Sequence, residues 1–156
     1  MDGKLVERLR RWCALQDRSE GEFKRKAMGL GLSSDQTQSL LPPLRAQGFL
    51  DDTRFTETYV RAHVRDKLWG PVKLLAGLRE RGVAEAISER VVGEVAERIW
   101  QENAVELLAR RPAPESEADR ARLIRWLAGK GYRMDHILKA LDDRRPLRTF
   151  AEHDHD

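Results

Sequence analysis

One cysteine, Cys13, stands among the 156 residues, so no internal disulfide can form and the fold must rest on burial. That points to a cytosolic chain. Aromatic residues are scarce at 6%, and no run has the period-two alternation of a strand. No apolar stretch approaches the ~20 residues that cross a bilayer. The opening "MDGKLVERLRR" lacks the apolar core and cleavage site of a secretory signal. A cytoplasmic location without a membrane partner is therefore expected. The sequence also lacks a phosphate-binding loop, G-x-S-x-G, H-E-x-x-H and a dinucleotide fingerprint. On this reading there are no catalytic, cofactor-binding or metal residues, and the chain is not an enzyme. Excess positive charge is small: 29 Lys and Arg stand against 26 Asp and Glu, for a net +3. The surplus lies in residues 1–50, with nine basic and six acidic side chains. A nucleic-acid footprint would need charge segregated onto one face in three dimensions.

What the sequence has is a repeated helix stop. "LRERGV" (78–83) places Leu78, Gly82 and Val83 in one relation. "KAMGLGL" (26–32), "LRAQGF" (44–49) and "LAGKGY" (127–132) repeat it with Gly31, Gly48 and Gly131. A glycine one position past the helix end adopts positive φ without Cβ strain. In a Schellman stop the apolar residues at C3 and C″ clasp across it. Leu78 with Val83, Leu44 with Phe49, Leu127 with Tyr132 and Ala27 with Leu32 supply that pair.

Three of the stops are followed by a turn and a short helix with apolar positions near Leu40/Leu41, Ile87/Val91 and Ile137/Leu141. Phe23, Leu74 and Leu123 stand eight residues before their glycines, and those glycines are 51 and 49 residues apart. The chain therefore reads as all-α, with three tandem three-helix modules at 3–50, 51–98 and 99–143. Residues 144–156 read as a flexible tail, and its "EHDHD" as a chain end rather than a metal site. Helix starts agree with the stops: a capping box at Ser19–Glu22, Asp51 or Asp52 before Phe55, Pro71 after Gly70, and a weaker box at Ser116–Asp119. Pro42-Pro43 should kink or split the third helix of module one. "RRPAPESEAD" (110–119) is the clearest loop.

Together these features resemble the RecX regulatory protein family, modulators of the RecA recombinase. "SEGEFKRKA" is similar to that family's opening of the second helix. "GFLDDTRFTETYVRAHV" resembles its Gly-aromatic-x-Asp-Asp-x-Arg-Phe signature, and "GPVKLLAGLRERGV" and "RLIRWLAGKGYRMDHILKAL" resemble its later segments. The likeness covers roughly residues 5–141. "KLWGP" departs from it, with Leu68-Trp69 where the family more often has glycine and tyrosine. The resemblance implies an elongated, curved helical array lying in the groove of the RecA–DNA filament. It also implies restraint of strand exchange, filament growth, ATP hydrolysis and co-protease function in recombination and repair. The chain is expected to be a monomer and to use no cofactor. Single- or double-stranded DNA is a possible further partner. Another reading is a helix-turn-helix protein acting directly on DNA. Against it, no third helix shows the Arg, Asn and Gln cluster expected for reading base edges; "EAISERVVGEV" and "MDHILKALDD" are acidic or apolar.

Individual side chains sort by physical role. Cys13, beside Trp12 and Leu15, reads as a small core residue. Asp51-Asp52 read as helix caps, and His63 and His136 as packing or hydrogen-bonding groups. Trp12, Trp100 and Trp126 fit helical packing positions, while Trp69, before Gly70-Pro71, could anchor a partner. Candidate partner or DNA contacts are Lys24 and Arg25 in module one, and Arg61, Arg65, Lys67, Trp69, Lys73, Arg79 and Arg81 in module two. Arg122 and Arg125 in module three complete the set. A single such charge is ordinarily just solvated; as a set on equivalent helices they could line one edge of a repeat array.

Overall fold

In the computed structural model residues 1–153 are described, with side chains to residue 144. Among the described residues every regular element is a helix and none is a strand. The order is α1 (Gly3–Leu15), α2 (Glu20–Gly29), α3 (Ser34–Ala46), α4 (Asp52–Lys67), α5 (Pro71–Glu80), α6 (Glu85–Gly93), α7 (Glu97–Ala109), α8 (Glu117–Gly129) and α9 (Met134–His153). Residues 144–153, where the sequence suggests a flexible tail, continue α9. Residues 154–156 lie outside the described residues, and with them the end of "EHDHD".

Several helix starts have a local cause. Ser19 and Glu22 form a reciprocal capping box on α2, and Ser33 and Gln36 form another on α3. Asp51 accepts from the Arg54 N–H at 3.0 Å and so caps α4. Ser116 accepts from the Asp119 N–H at 3.1 Å, but Asp119 reaches back to the Glu115 N–H, so that box is incomplete. Pro71 occupies the first position of α5, where its missing N–H costs no helix bond.

All four glycine stops adopt the left-handed conformation, with φ of 100° at Gly31, 80° at Gly48, 75° at Gly82 and 100° at Gly131. The paired hydrogen bonds of a Schellman motif are complete at each. At Gly82 the Val83 N–H donates to the Leu78 carbonyl at 3.1 Å and the Gly82 N–H to the Arg79 carbonyl at 3.0 Å. Leu32 with Ala27, Phe49 with Leu44 and Tyr132 with Leu127 repeat the longer bond. The clasp residues are buried except Phe49, which is half-buried.

α3 runs unbroken through Pro42 and Pro43 instead of splitting into two helices. Two backbone donors are missing there. Burial of Leu41 and Leu44, together with the capping box, keeps the segment helical.

By packing, the chain forms two compact units, residues 1–61 with 75–91, and residues 62–74 with 92 onward. In the first, Leu9, Cys13, Phe23, Ala27, Leu32, Leu41, Leu44 and Leu50 form one core cluster. Burial raises the Cys13 thiol above its ordinary pKa, as expected of a small core residue. In the second, α7 packs on α9 and both contact α8. Trp100, Leu107, Leu108, Leu123, Leu127, Ile137 and Leu141 are among its buried side chains.

Each unit contains one joint of the same kind, in which a helix start meets a glycine stop. In the first, Ser19 Oγ donates to the Arg81 carbonyl at 2.6 Å, and a Cβ on Gly21 would lie 2.4 Å from that oxygen. In the second, the Gly70 N–H donates to the Lys130 carbonyl and the Val72 N–H to the Gly131 carbonyl, both at 2.8 Å. A Cβ on Gly70 would lie 2.4 Å from the Gly131 carbonyl carbon. Donors at one helix start, a capping hydroxyl in the first joint and backbone N–H groups in the second, thus satisfy carbonyls at another helix's end. Only glycine permits backbones so close.

Candidate functional site

The second joint positions an aromatic turn. Between α4 and α5, Leu68 takes φ +54°, a conformation that costs a side-chain-bearing residue energy. The turn is held there by three bonds. Tyr132 Oη donates to the Leu68 carbonyl at 2.6 Å, the Trp69 N–H to the His63 carbonyl at 3.2 Å, and the Gly70 N–H to Lys130. Burial raises the Tyr132 phenol well above its ordinary pKa, so it stays a neutral donor.

So held, Trp69 is half-buried, with its ring against His63 at a centroid distance of 4.4 Å. The ammonium groups of Lys73 and Lys67 lie 4.6 and 5.4 Å from the ring centroid. Two cations polarised over one indole make a compact basic-aromatic surface, suited to an acidic or phosphate-bearing partner. Three expected residues, Lys67, Trp69 and Lys73, are therefore brought together.

Others of the expected set have structural work. Arg81 donates from Nη1 to the Gly77 carbonyl at 2.9 Å and lies 4.9 Å from the Tyr59 ring centroid. Arg25 donates to the Glu80 carbonyl at 3.1 Å, answering a carbonyl at the end of α5. Arg65 pairs with Asp66 at 2.8 Å, Arg79 with Glu85 at 2.7 Å and Arg122 with Asp119 at 3.2 Å. These pairs are exposed and each contributes only modestly. Lys24, Arg61 and Arg125 make no ion pair among the described residues, and Arg61 and Arg125 are exposed.

Two aromatic-cation contacts escape a reading of sequence. Arg18 lies 4.1 Å from the Trp12 ring centroid, and Arg111 lies 4.1 Å from that of Trp126. Both indoles are half-buried rather than enclosed. Their arginines come from the loops after α1 and α7, so helix periodicity carries no signal for either pair. Of His63 and His136, the latter is buried with Nε2 2.6 Å from a Glu97 carboxylate oxygen. Asp52 also gains a role beyond its own helix: it accepts from the Glu20 N–H at the start of α2, at 2.8 Å.

Residues 51–92 match the family model described as RecX, second three-helix domain. The "Regulatory protein RecX" of Pelodictyon phaeoclathratiforme is 32% identical over 128 residues, covering 81% of this chain and 80% of that one. The protein of the same name from Salmonella typhimurium is 28% identical over 147 residues, covering 86% and 87%. Among solved structures, RecX from Lactobacillus salivarius superposes with a TM-score of 0.80 at 19% identity, over 90% of this chain and 94% of that one. A second crystal structure, of a regulatory protein RecX, has the same TM-score at 21% identity, over 89% and 72%. These two likenesses concern the fold alone.

Proposed function

The chain belongs to the RecX family of regulatory proteins, and from that membership we propose that it binds the RecA recombinase–DNA filament and restrains its activity. The observation that carries this reading is the relationship to a curated regulator across four fifths of both chains. The Trp69 turn is the first surface to engage the filament. Its two lysines offer charge to acidic side chains or phosphates, and the indole offers a rigid apolar anchor. The sequence modules at 3–50, 51–98 and 99–143 each add a weak patch. Linked weak contacts gain through effective concentration, so successive modules hold successive recombinase subunits. Occupying the groove opposes entry of a second duplex and restricts the subunit movements of ATP turnover.

The test is RecA ATPase activity on single-stranded DNA, titrated with the protein at several salt concentrations. Inhibition that weakens as salt rises supports the reading. Failure to inhibit or bind the filament at low salt would sink it. A gel shift without recombinase separates the direct-DNA alternative: sequence-specific duplex binding would favour that one.

A further inference from the structure

The first compact unit carries a groove separate from the Trp69 turn. It runs along α1 and α2 as two recesses of about 440 and 400 Å³, both lined by Trp12, Lys26 and Leu30. Arg8, Trp12 and Leu15 stand at helical spacing on α1 and form one wall. Lys26 and Leu30 on the α2 side form the other. Leu15 is 79% exposed and Met28, also on α2, is 50% exposed. Leu15 lines the recess itself, and a large apolar side chain left so open there marks an interaction surface more than a stability device.

Charge around the groove is strongly one-sided. Arg8, Arg11, Arg25 and Lys26 line it and Arg18 covers the Trp12 ring. Glu22 is the single carboxylate of the lining, and it is committed to the Ser19 N–H at 3.0 Å. The sequence surplus of positive charge in residues 1–50 is thus concentrated at an apolar slot.

We propose that this groove docks an acidic amphipathic helix from a partner protein, its apolar stripe on Leu15, Trp12 and Leu30 and its carboxylates against the basic rim. The wall from Arg8 to Leu15 extends about 10 Å, or two helical turns, which matches an i, i+3, i+7 set of anchors. A nucleic acid is the poorer fit. Base stacking needs an open aromatic face, and the Arg18 guanidinium lies 4.1 Å from the Trp12 ring centroid. The remaining floor is aliphatic. The proposal does not depend on the recombinase reading, and its test contains no recombinase.

The experiment is fluorescence anisotropy of the full chain against a labelled peptide of about 18 residues, about five helical turns. The peptide carries Leu at helical spacing on one face and Glu on the other. Saturable binding is expected, at least about tenfold weaker for a scrambled peptide of equal composition, a gap of about 1.4 kcal/mol. Leu15→Asp and Arg11→Glu change exposed side chains and should each weaken binding by a similar factor, with helical circular dichroism retained. Should either variant fold poorly, the unaltered chain with a Lys-for-Glu peptide gives the same discrimination. The proposal is overturned by no saturation up to about 1 mM peptide, by equal binding of the scrambled peptide, or by unchanged binding of both variants. It is also overturned if oligo-dT binds more tightly than the peptide and loses affinity in the same variants, which would make the groove a nucleic-acid site.

Discussion

Leu68 shows two opposed effects at one position. Its left-handed backbone costs about 1–2 kcal/mol for a residue with a Cβ. Its side chain is buried to 7% exposure, and truncating a buried leucine costs about 2–5 kcal/mol. Packing wins, which accounts for leucine at a site where glycine would relax the chain. Both Leu68→Gly and Leu68→Ala should therefore destabilise. The glycine variant should be the more stable of the two by about 1 kcal/mol, because alanine loses the packing and keeps the strain. Denaturant midpoints would show the order, and alanine ranking above glycine would contradict it.

At Asp52, burial raises the carboxyl above its ordinary pKa, against the lowering effect of the Glu20 N–H. A raised folded pKa means the folded chain holds that proton more tightly than the unfolded one. The group then costs stability above its folded pKa, and the cost disappears as pH falls below the ordinary aspartate value of about 3.9. Asp52→Asn keeps an acceptor without the charge, so it should equal or exceed wild-type stability at neutral pH and lose that advantage in acid. Asp52→Ala leaves the Glu20 N–H uncapped and should cost about 1 kcal/mol. Glu20 has the opposite sign: hydrogen bonding to Arg45 lowers its pKa, so its support is present above the ordinary glutamate value and lost below its folded pKa. The capping role of Asp51-Asp52 is legible in sequence. The transfer of Asp52 to a different helix is not, because its partner lies 32 residues away.

Among elements, α2 contains its own control. Gly21 and Gly29 are both helical, but a Cβ on Gly21 would strike the Arg81 carbonyl whereas one on Gly29 meets nothing within 4 Å. Gly21→Ala should cost about 1–3 kcal/mol through overpacking at the joint. Gly29→Ala should gain about 0.5–1 kcal/mol through backbone entropy. Thermal unfolding of the two variants decides the matter, and equal effects would mean the joint is not close-packed. The glycine stops are readable because their cause is local: each needs positive φ and a clasp five residues apart in sequence. The glycines of helix starts, Gly21 and Gly70, are opaque to the same reading, since what excludes a side chain there is backbone distant along the chain, at Arg81 and Gly131 respectively. α3 adds a contrast. Local rules make Pro42-Pro43 a possible break, and burial of Leu41 and Leu44 holds the helix together.

For the whole molecule, the sharpest expectation concerns the Trp69 turn. Lys67→Glu with Lys73→Glu should raise the concentration needed for half-inhibition of RecA ATPase by at least about tenfold, the effect of about 1.4 kcal/mol in binding. Circular dichroism should stay unchanged. Undiminished inhibition by this variant would place the contact elsewhere. Arg81 is unsuited to the same test, because Arg81→Ala would also release the Gly77 carbonyl and the Tyr59 ring. Family membership was legible in the chain itself, since the Gly-x-x-Asp-Asp-x-Arg-Phe stretch and the spaced stops combine into one pattern.

Sequence by itself determined the four glycine stops, the capped starts of α2, α4 and α8, that no strand is needed, and that the stops return about every 50 residues, but not the reach of α9 to His153. Those features depend on neighbours within a turn or two, where capping, positive φ and apolar spacing act. Tertiary structure alone decided which helix start meets which glycine stop, and that packing divides the chain at 61/62, 74/75 and 91/92. It alone decided which cations gather on an indole and which are committed to carbonyls. Those outcomes depend on approaches between residues distant along the chain, and no local periodicity encodes them.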